Sequence, residues 1–151
     1  MKLALAADHA GFEMKEALKA FLRDEGHEAV DCGATVPDEA DDYPDFIGKA
    51  ARMVSEGSTD RAILLGGSGQ GEAMVANRFS RVRAAVFYGG ARDLVVLSRE
   101  HNDANVLALG ARFLSIDEAK DIVALWLATP FSGDARHVRR IQKIETEHLH
   151  D

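Results

Sequence analysis

The glycine-rich segment Gly66–Glu72 holds the residue types best suited to chemistry in this chain, in the order Gly-Gly-Ser-Gly-Gln-Gly-Glu. It follows the apolar run 63–65 and precedes a helical pattern. Glycines let backbone N–H groups approach a ligand closely, and the start of a helix favours negative charge. Glu72 adds a carboxylate at a place that otherwise attracts anions. This combination indicates a phosphorylated or oxyanion-forming substrate with a carboxylate base beside it.

Two common phosphate motifs do not fit this loop. The P-loop ends in Gly-Lys-Ser/Thr, and the dinucleotide motif G-x-G-x-x-G follows the first strand of its domain. Alternatively, the loop is only a tight turn between a strand and a helix, and Glu72 only interacts favourably with the dipole of that helix. Ser68 beside Glu72 favours the functional interpretation. We expect the dipole to lower the pKa of Glu72 and keep it ionised, as abstraction of a proton from carbon requires.

Histidines at two other places could transfer protons or bind anions. Asp8 and His9 follow the first apolar run, where Asp8 could also serve only as a helix cap. His101 opens the polar loop 101–103, where it either interacts with the end of a helix or transfers protons near neutral pH. The spacing leaves both interpretations of His101 open. His137 is a further candidate, and the remaining histidines are expected at the surface: His27, His148 and His150.

Arginines in the second half of the chain could hold a phosphate. Arg136 and Arg140 are four residues apart and share one face of a helix, and Arg112 follows the last predicted strand. Guanidinium groups bind phosphate oxygens in pairs. A solvated basic face is the alternative, but a local basic cluster gains weight in a chain of formal net charge -7. The same net charge argues against general nucleic-acid binding.

The composition indicates a globular protein, and we expect residues 1–151 to form one domain. The single cysteine, Cys32, cannot form an internal disulfide, and no cysteine spacing of a metal site is present. Asp8 interrupts the first apolar run too early for a secretion signal, and no stretch approaches the roughly 18 apolar residues of a membrane span. We therefore expect a cytoplasmic protein without metal, membrane or nucleic-acid partners.

Apolar runs alternate with helical patterns along the chain. The runs predict strands at 2–7, 28–31, 61–65, 83–87 and 105–109. Helices are predicted from about 14 to 25, over 44–56, 72–78 and 91–100, from about 119 to 129, and from about 134. Such alternation predicts a parallel sheet that helices cover on both faces.

Three polar segments each follow a predicted strand: Asp8-His9, the Gly66–Glu72 loop and Gly110-Ala111-Arg112. In a helix-covered parallel sheet, ligands bind beyond the carboxyl ends of the strands. We therefore expect these three segments to converge on one edge of the sheet.

Taken together and in order, the polar segments resemble the type B ribose-5-phosphate isomerases, a family that also includes galactose-6-phosphate and allose-6-phosphate isomerases. The resemblance runs from residue 1 to about residue 145. It rests on an ordered set of motifs: Asp8-His9-Ala10-Gly11-Phe12, Asp42-Tyr43-Pro44, Gly67-Ser68-Gly69-Gln70-Gly71-Glu72, Asn77, His101-Asn102-Asp103 and Arg136-His137-x-x-Arg140.

This resemblance implies a single-domain, Rossmann-like α/β/α sandwich with a five-stranded parallel sheet and an extending C-terminal helix. It also implies a homodimer, or a tetramer, that works without a metal or other cofactor. The active site of the family is built from two subunits. By resemblance, His101, Arg136 and Arg140 reach a substrate that the glycine loop of the partner chain holds.

Other positions match the family within one subunit. His9 and Arg112 match phosphate-binding positions, and Asp8 matches a position that contacts sugar hydroxyls. Some members carry a cysteine base at the position of Gly66. Because Cys32 lies far away in sequence, this chain resembles the other branch, whose base is a glutamate at the position of Glu72.

The resulting hypothesis is reversible isomerisation of ribose 5-phosphate and ribulose 5-phosphate. His101 would assist ring opening, and Glu72 would move a proton between C2 and C1 through a cis-enediolate. The loop would stabilise the oxyanion. The residues assigned to hold the substrate, besides the catalytic Glu72, His101 and Ser68, are Asp8, His9, Gly67, Gly69, Gly71, Asn102, Arg112, Arg136 and Arg140.

Two alternatives to this hypothesis stay open. The chain could isomerise another sugar phosphate, such as allose 6-phosphate or a tetrose phosphate, because the shared motifs do not separate these substrates. It could also be a non-catalytic phosphate-binding module, in which Glu72 only favours the start of its helix.

Overall fold

Apolar runs form strands and amphipathic segments form helices in the computed structural model, which describes residues 1–147. The strands are β1 (Lys2–Ala7), β2 (Glu28–Asp31), β3 (Arg61–Gly66), β4 (Ala84–Phe87) and β5 (Val106–Gly110). The helices are α1 (Phe12–Asp24), α2 (Pro44–Glu56), α3 (Gln70–Ala76), α4 (Asp93–Glu100), α5 (Ile116–Ala128) and α6 (Ala135–Glu147). His148 and His150, which were predicted to be surface residues, lie outside the described residues.

The strands are parallel and pair in the order β2-β1-β3-β5-β4. From β1 the chain runs outward to β2, returns to β3 on the other side of β1, and continues towards the opposite edge. This reversal opens a crevice beyond the carboxyl ends of β1 and β3, where sheets of this type bind ligands.

Alternate residues of the central strands pack under different helices. Leu3 and Leu5 belong to the core beneath α1 and α5, whereas Ala4 and Ala6 face α2 and α3. Both sets are buried completely, which explains why the strands are continuous apolar runs in the sequence. The predicted α/β/α sandwich with a five-stranded parallel sheet is therefore confirmed. Within residues 1–147, no helix has the length and apolar character needed to cross a bilayer.

Element ends differ from the prediction by one to three residues. The backbone N–H of Arg83 donates to Oδ1 of Asn105 (2.8 Å), so β4 begins one residue later than predicted. Gly89 and Gly90 have φ of 119° and 91°, which keeps the chain non-helical until α4 begins at Asp93. Helix α3 begins two residues earlier than predicted, and Glu72 still lies in its first turn.

A buried lysine joins α1 to β2, and the sequence did not predict it. Lys15 is completely buried, and its Nζ donates to both carboxylate oxygens of Asp31 at 2.8 and 2.7 Å. Lys19 adds a third bond to the same carboxylate (2.7 Å). Burial alone would raise the pKa of Asp31, but the hydrogen bonds from the two lysines prevail and lower it to about 2. This pair fixes the end of β2, from which the chain enters the loop before α2.

We expect Lys15→Met to lower the free energy of unfolding at pH 7 by about 1–3 kcal/mol, because Asp31 loses its two bonds to a buried cation. The folded pKa of Asp31 is below its unfolded value, so its contribution is complete above about pH 4 and is lost as the pH falls through 2. Between about pH 4 and pH 2, the free energy of unfolding of Lys15→Met should therefore fall less than that of the wild type.

Urea unfolding at several pH values measures both effects. Lys19→Met is the matched control. Lys19 is partly exposed, so its substitution should lower the free energy of unfolding by less. Equal stability of wild type and Lys15→Met at pH 7 would contradict this account of the pair.

Candidate active site

A pocket of about 400 Å³ opens at the carboxyl ends of the central strands. We call it the glycine-loop pocket, and its lining residues are Asp8, Tyr43, Gly67, Ser68, Gly71, Glu72, Arg112 and Phe113. Asp8 follows β1, the loop 67–71 follows β3, and Arg112 follows β5. The expected convergence of these three segments on one edge of the sheet is therefore observed.

The glycine loop turns sharply from β3 into α3. Gly69 adopts φ of 82°, a left-handed conformation that favours glycine, and α3 begins at the next residue. The Ser68 hydroxyl accepts a hydrogen bond from the backbone N–H of Gln70 (3.3 Å). The N–H groups of Ala111 and Arg112 donate to the carbonyls of residues 66 and 67 at 2.8 and 3.1 Å. The loop is thereby held against the segment that follows β5.

The carboxylate of Glu72 lies directly beside the Cα of Gly66. A Cβ at position 66 would overlap the Glu72 carboxylate, so this arrangement requires glycine at the end of β3. A cysteine at position 66 would need the space that Glu72 fills. The single cysteine of the chain, Cys32, instead lies half-buried with its Sγ 3.7 Å from Sδ of Met53, and burial raises the pKa of its thiol.

Burial dominates the electrostatics of Glu72. The residue is 3% exposed, and loss of hydration raises the pKa of its carboxyl, with a smaller contribution in the same direction from Asp8. A hydrogen bond from its own backbone N–H opposes the shift without cancelling it. The prediction that the helix dipole lowers this pKa is therefore wrong, because α3 is short and the carboxylate is removed from water. A buried carboxylate with a raised pKa is a stronger base than an exposed one.

His9 is paired with a carboxylate that the sequence did not single out. Its Nδ1 lies 2.7 Å from Oδ1 of Asp41, and the same oxygen accepts a bond from the His9 backbone N–H (3.3 Å). This hydrogen bond is the main reason why the pKa of His9 is raised, with Asp8 adding to it and Arg112 opposing it. Asp41 belongs to the polar loop before α2, whose acidic composition alone did not show which carboxylate turns inward.

Asp8 and Arg112 place opposite charges at the pocket. Oδ1 of Asp8 accepts bonds from the N–H groups of Ala10 (3.0 Å) and Gly11 (3.3 Å), so it shapes the turn before α1 while the residue also lines the pocket. The Arg112 guanidinium lies over Gly67, where a Cβ would come within 3.0 Å of its Nη1. The lining of the pocket therefore combines two carboxylates, those of Asp8 and Glu72, with the guanidinium of Arg112.

Two aromatic residues of the pocket were missed by the reasoning from sequence. The Tyr43 hydroxyl lies beside Gly71, where a Cβ would approach it to 2.6 Å, so Gly71 makes room for the phenol ring. Phe113 is 63% exposed and contacts the edge of Tyr88, with ring centroids 6.2 Å apart. The Asp42-Tyr43-Pro44 motif was a usable signal for the tyrosine, whereas no pattern marked Phe113.

The remaining predicted site residues lie elsewhere in the same chain. His101 ends α4, and its ring stacks on that of His137 with centroids 4.2 Å apart and planes at 17°. Arg136 and Arg140 flank His137 on α6, and the pKa of His137 is lowered by burial first and then by His101 and these arginines. We call these four residues the histidine–arginine cluster. None of them lines the glycine-loop pocket of its own chain, and neither do Asn102, Gly69 and His9, although a ring nitrogen of His9 lies within 4.8 Å of an Asp8 carboxylate oxygen.

Asp8, His9 and Asp41 are the group with suitable spacing for a metal ion, since one ligand atom of each lies within 4.8 Å of the others. The 2.7 Å separation of His9 and Asp41 is that of a charge-assisted hydrogen bond and accounts for their proximity without an ion. The expectation that no metal or cofactor takes part stays a prediction.

The fold and pocket define an α/β protein with a candidate ligand site at the reversal point of its parallel sheet. The family model described as Ribose/Galactose Isomerase matches residues 3–144. A ribose-5-phosphate isomerase B from Mycobacterium tuberculosis is 40% identical over 153 residues, covering 100% of this chain and 93% of the relative. The chain therefore belongs to the ribose/galactose isomerase family.

Solved structures agree with this membership. Ribose-5-phosphate isomerase B of Clostridium thermocellum has a TM-score of 0.91 at 42% identity, covering 96% of this chain and 95% of that one. The Mycoplasma genitalium ribose-5-phosphate isomerase B, solved with bound ribulose-5-phosphate, has a TM-score of 0.93 at 36% identity, covering 99% and 97%. The resemblance drawn from the motifs is confirmed.

We expect Glu72→Gln to raise the free energy of unfolding at pH 7 by about 0.5–2 kcal/mol, because it removes a charge that is held out of water. Since the folded pKa of Glu72 is above its unfolded value, ionisation destabilises the fold as the pH rises through the folded pKa. The gain should therefore shrink below about pH 4, where the carboxyl is protonated in both states.

Urea unfolding of both proteins at pH 4 and pH 7 measures this difference. Glu13→Gln is the control, since Glu13 is an exposed acid in the first turn of α1 and its loss should be slightly destabilising. An equal loss of stability in Glu72→Gln at both pH values would show that the buried charge is not destabilising.

Proposed function

We propose that this chain is an aldose–ketose isomerase that interconverts ribose 5-phosphate and ribulose 5-phosphate. The observation that carries the proposal is the buried Glu72 carboxylate, which has a raised pKa and lies beside the glycine loop in an open pocket. Relatives across the full chain are named ribose-5-phosphate isomerase B, and one is solved with bound ribulose-5-phosphate. The reaction is part of carbohydrate metabolism.

Glu72 is the proposed proton carrier. In the open-chain aldose, its carboxylate takes the proton from C2, and the electron pair moves towards the C1 carbonyl to give a cis-enediolate. The protonated Glu72 then delivers the proton to C1, while the hydroxyl proton passes from O2 to O1. The carboxylate is regenerated, and no electron is gained or lost overall.

The glycine loop is the proposed site of oxyanion stabilisation. The backbone N–H groups of the loop, chiefly Gly67, Gly69 and Gly71, together with the Ser68 hydroxyl, surround the reacting end of the sugar. Burial of Glu72 beside them excludes water from the base. Asp8 holds sugar hydroxyls next to this end, since it lines the same pocket.

Two cationic side chains hold the phosphate in this proposal: Arg112, which lines the pocket, and His9, whose ring nitrogen lies within 4.8 Å of an Asp8 carboxylate oxygen. His9 and Arg112 are available within one chain, and a phosphate dianion needs such local charges in a protein of net charge -7. Binding at the phosphate orients C1 and C2 against Glu72, which converts binding energy into positioning of the reacting carbons.

A second copy of the chain completes the site in this proposal. His101 for ring opening, Asn102 for substrate contact, and the phosphate-binding Arg136 and Arg140 come from the partner, because they do not line the pocket of their own chain. Large apolar side chains near the pocket edge and on α3 and α4 are exposed and suit such an interface: Met74 (67%), Tyr88 (51%), Leu94 (62%) and Phe113 (63%). A homodimer is the smallest such assembly, and a tetramer would contain two of them. A cytoplasmic location suits the free thiol of Cys32.

Glu72→Gln should reduce kcat by about 10²–10⁴-fold, because the amide cannot accept the C2 proton. A coupled assay with ribose 5-phosphate, and in parallel with tetrose and hexose phosphates, measures kcat and KM. The proposal expects the highest kcat/KM with ribose 5-phosphate. Near-normal turnover of Glu72→Gln would refute the assignment of the base, and a hexose or tetrose phosphate as best substrate would refute the assignment of the sugar.

Mixing two inactive variants tests the shared site. In a dimer of one Glu72→Gln and one His101→Asn chain, one of the two pockets retains both groups if His101 is supplied by the partner. Random pairing makes about half of the dimers mixed, so the mixture should recover about a quarter of wild-type activity. Mixing Glu72→Gln with the double variant leaves no intact pocket and is the control. If the mixture is no more active than the separate variants, the site is contained within one chain.

A further inference from the structure

Asp41 has no part in the proton transfer, yet its side chain is only 8% exposed. One of its oxygens and a ring nitrogen of His9 lie within 4.8 Å of a carboxylate oxygen of Asp8, which lines the glycine-loop pocket. Its Oδ1 accepts both bonds from His9, one from the ring at 2.7 Å and one from the backbone at 3.3 Å. Its Oδ2 is buried and has no hydrogen-bond partner within residues 1–147. Within the described residues, the hydrogen bonds of this carboxylate therefore go to His9 alone.

We propose that Asp41 is a positioning residue that holds the His9 ring through Nδ1 and leaves its Nε2–H free to donate to the substrate phosphate. This inference rests on the proposed function for the phosphate, but the pairing itself exists in the ligand-free protein. Asp41 thereby determines the pH range in which His9 acts as a cation.

The need for a carboxylate beside His9 follows from the chemistry of the phosphate and of the histidine ring. A phosphate monoester is largely dianionic at neutral pH, because its second pKa is near 6. A histidine at its ordinary pKa of about 6.5 is mostly neutral under the same conditions and would supply no charge. A carboxylate on Nδ1 favours the imidazolium form and leaves Nε2–H free to donate.

The charged groups around His9 come from three separate elements. Asp8 at the end of β1 and Asp41 in the loop before α2 favour the protonated ring, whereas Arg112 after β5 disfavours it. The Asp41 hydrogen bond has the largest influence of these, so the balance depends on this one contact. The His9 side chain keeps 27% of its surface exposed, which leaves its outer edge open to a ligand.

NMR titration of the His9 ring in the ligand-free protein tests the pairing directly. Asp41→Asn keeps the shape and an acceptor oxygen but removes the charge, and it should lower the pKa of His9. Glu39→Gln is the matched control, because it removes one exposed carboxylate from the same loop and should leave His9 unchanged. An unchanged His9 titration in Asp41→Asn would overturn the proposal whether or not the chain is an isomerase.

Kinetics on ribose 5-phosphate test the consequence. At a pH between the two His9 pKa values that NMR measures for wild type and Asp41→Asn, KM of the variant should rise about tenfold with little change in kcat. At a pH below both values the two enzymes should converge, because His9 is then protonated in both. In a His9→Asn background, Asp41→Asn should add nothing further. A loss of kcat at every pH, or an equal effect without His9, would show that Asp41 supports the fold instead.

These outcomes separate the two proposals. If wild type shows no isomerisation, the proposed function fails while the NMR result still decides the pairing. If wild type is active and Asp41→Asn retains a normal KM at the pH between the two measured His9 pKa values, the positioning role fails while the proposed function remains.

Discussion

The chemistry of this site depends on a carboxylate occupying the space that a side chain at position 66 would fill. Glu72 approaches the Cα of Gly66 so closely that any Cβ there would collide with it. This contact is possible because β3 ends in glycine and α3 begins only four residues later, which turns the first helical residues back over the strand end. The same contact removes Glu72 from water and raises its pKa. The position of the Glu72 carboxylate and its strength as a base therefore both follow from its contact with Gly66.

The order of the strands determines which charged side chains surround this contact. Because β1 and β3 are neighbours while their chain continuations diverge, Asp8 and Glu72 meet in the crevice between them. Arg112 arrives from β5, the next strand along, and His9 from the turn after β1. A strongly acidic protein thus brings Arg112 into the lining of the same small pocket as Glu72. The histidine–arginine cluster lies outside this pocket, and in the proposed dimer its cations serve the pocket of the neighbouring copy.

Local patterns in the sequence predicted most of the fold and the inner part of the site. Strand and helix order follow from apolar periodicity, and the convergence of Asp8, Glu72 and Arg112 follows from their positions after strands. The strand order, the burial of Lys15 and the inward turn of Asp41 depend on contacts between segments distant in sequence, which periodicity does not encode. The predicted direction of the shift in the Glu72 pKa was wrong for the same reason. Its place in a first turn was visible in the sequence, whereas its burial against Gly66 was not.

Solvent deuterium exchange tests the role of Glu72 most directly. Ribose 5-phosphate is converted in D₂O, and proton NMR follows the signals at C2 of the aldose and C1 of the ketose. Transfer through a carboxylate that exchanges with solvent predicts deuterium at C1 of ribulose 5-phosphate and, on reversal, at C2 of ribose 5-phosphate, with neither formed by Glu72→Gln. Turnover by the wild type that leaves both compounds free of deuterium, even after prolonged incubation at equilibrium, would contradict the account of Glu72 as a proton carrier that exchanges with solvent.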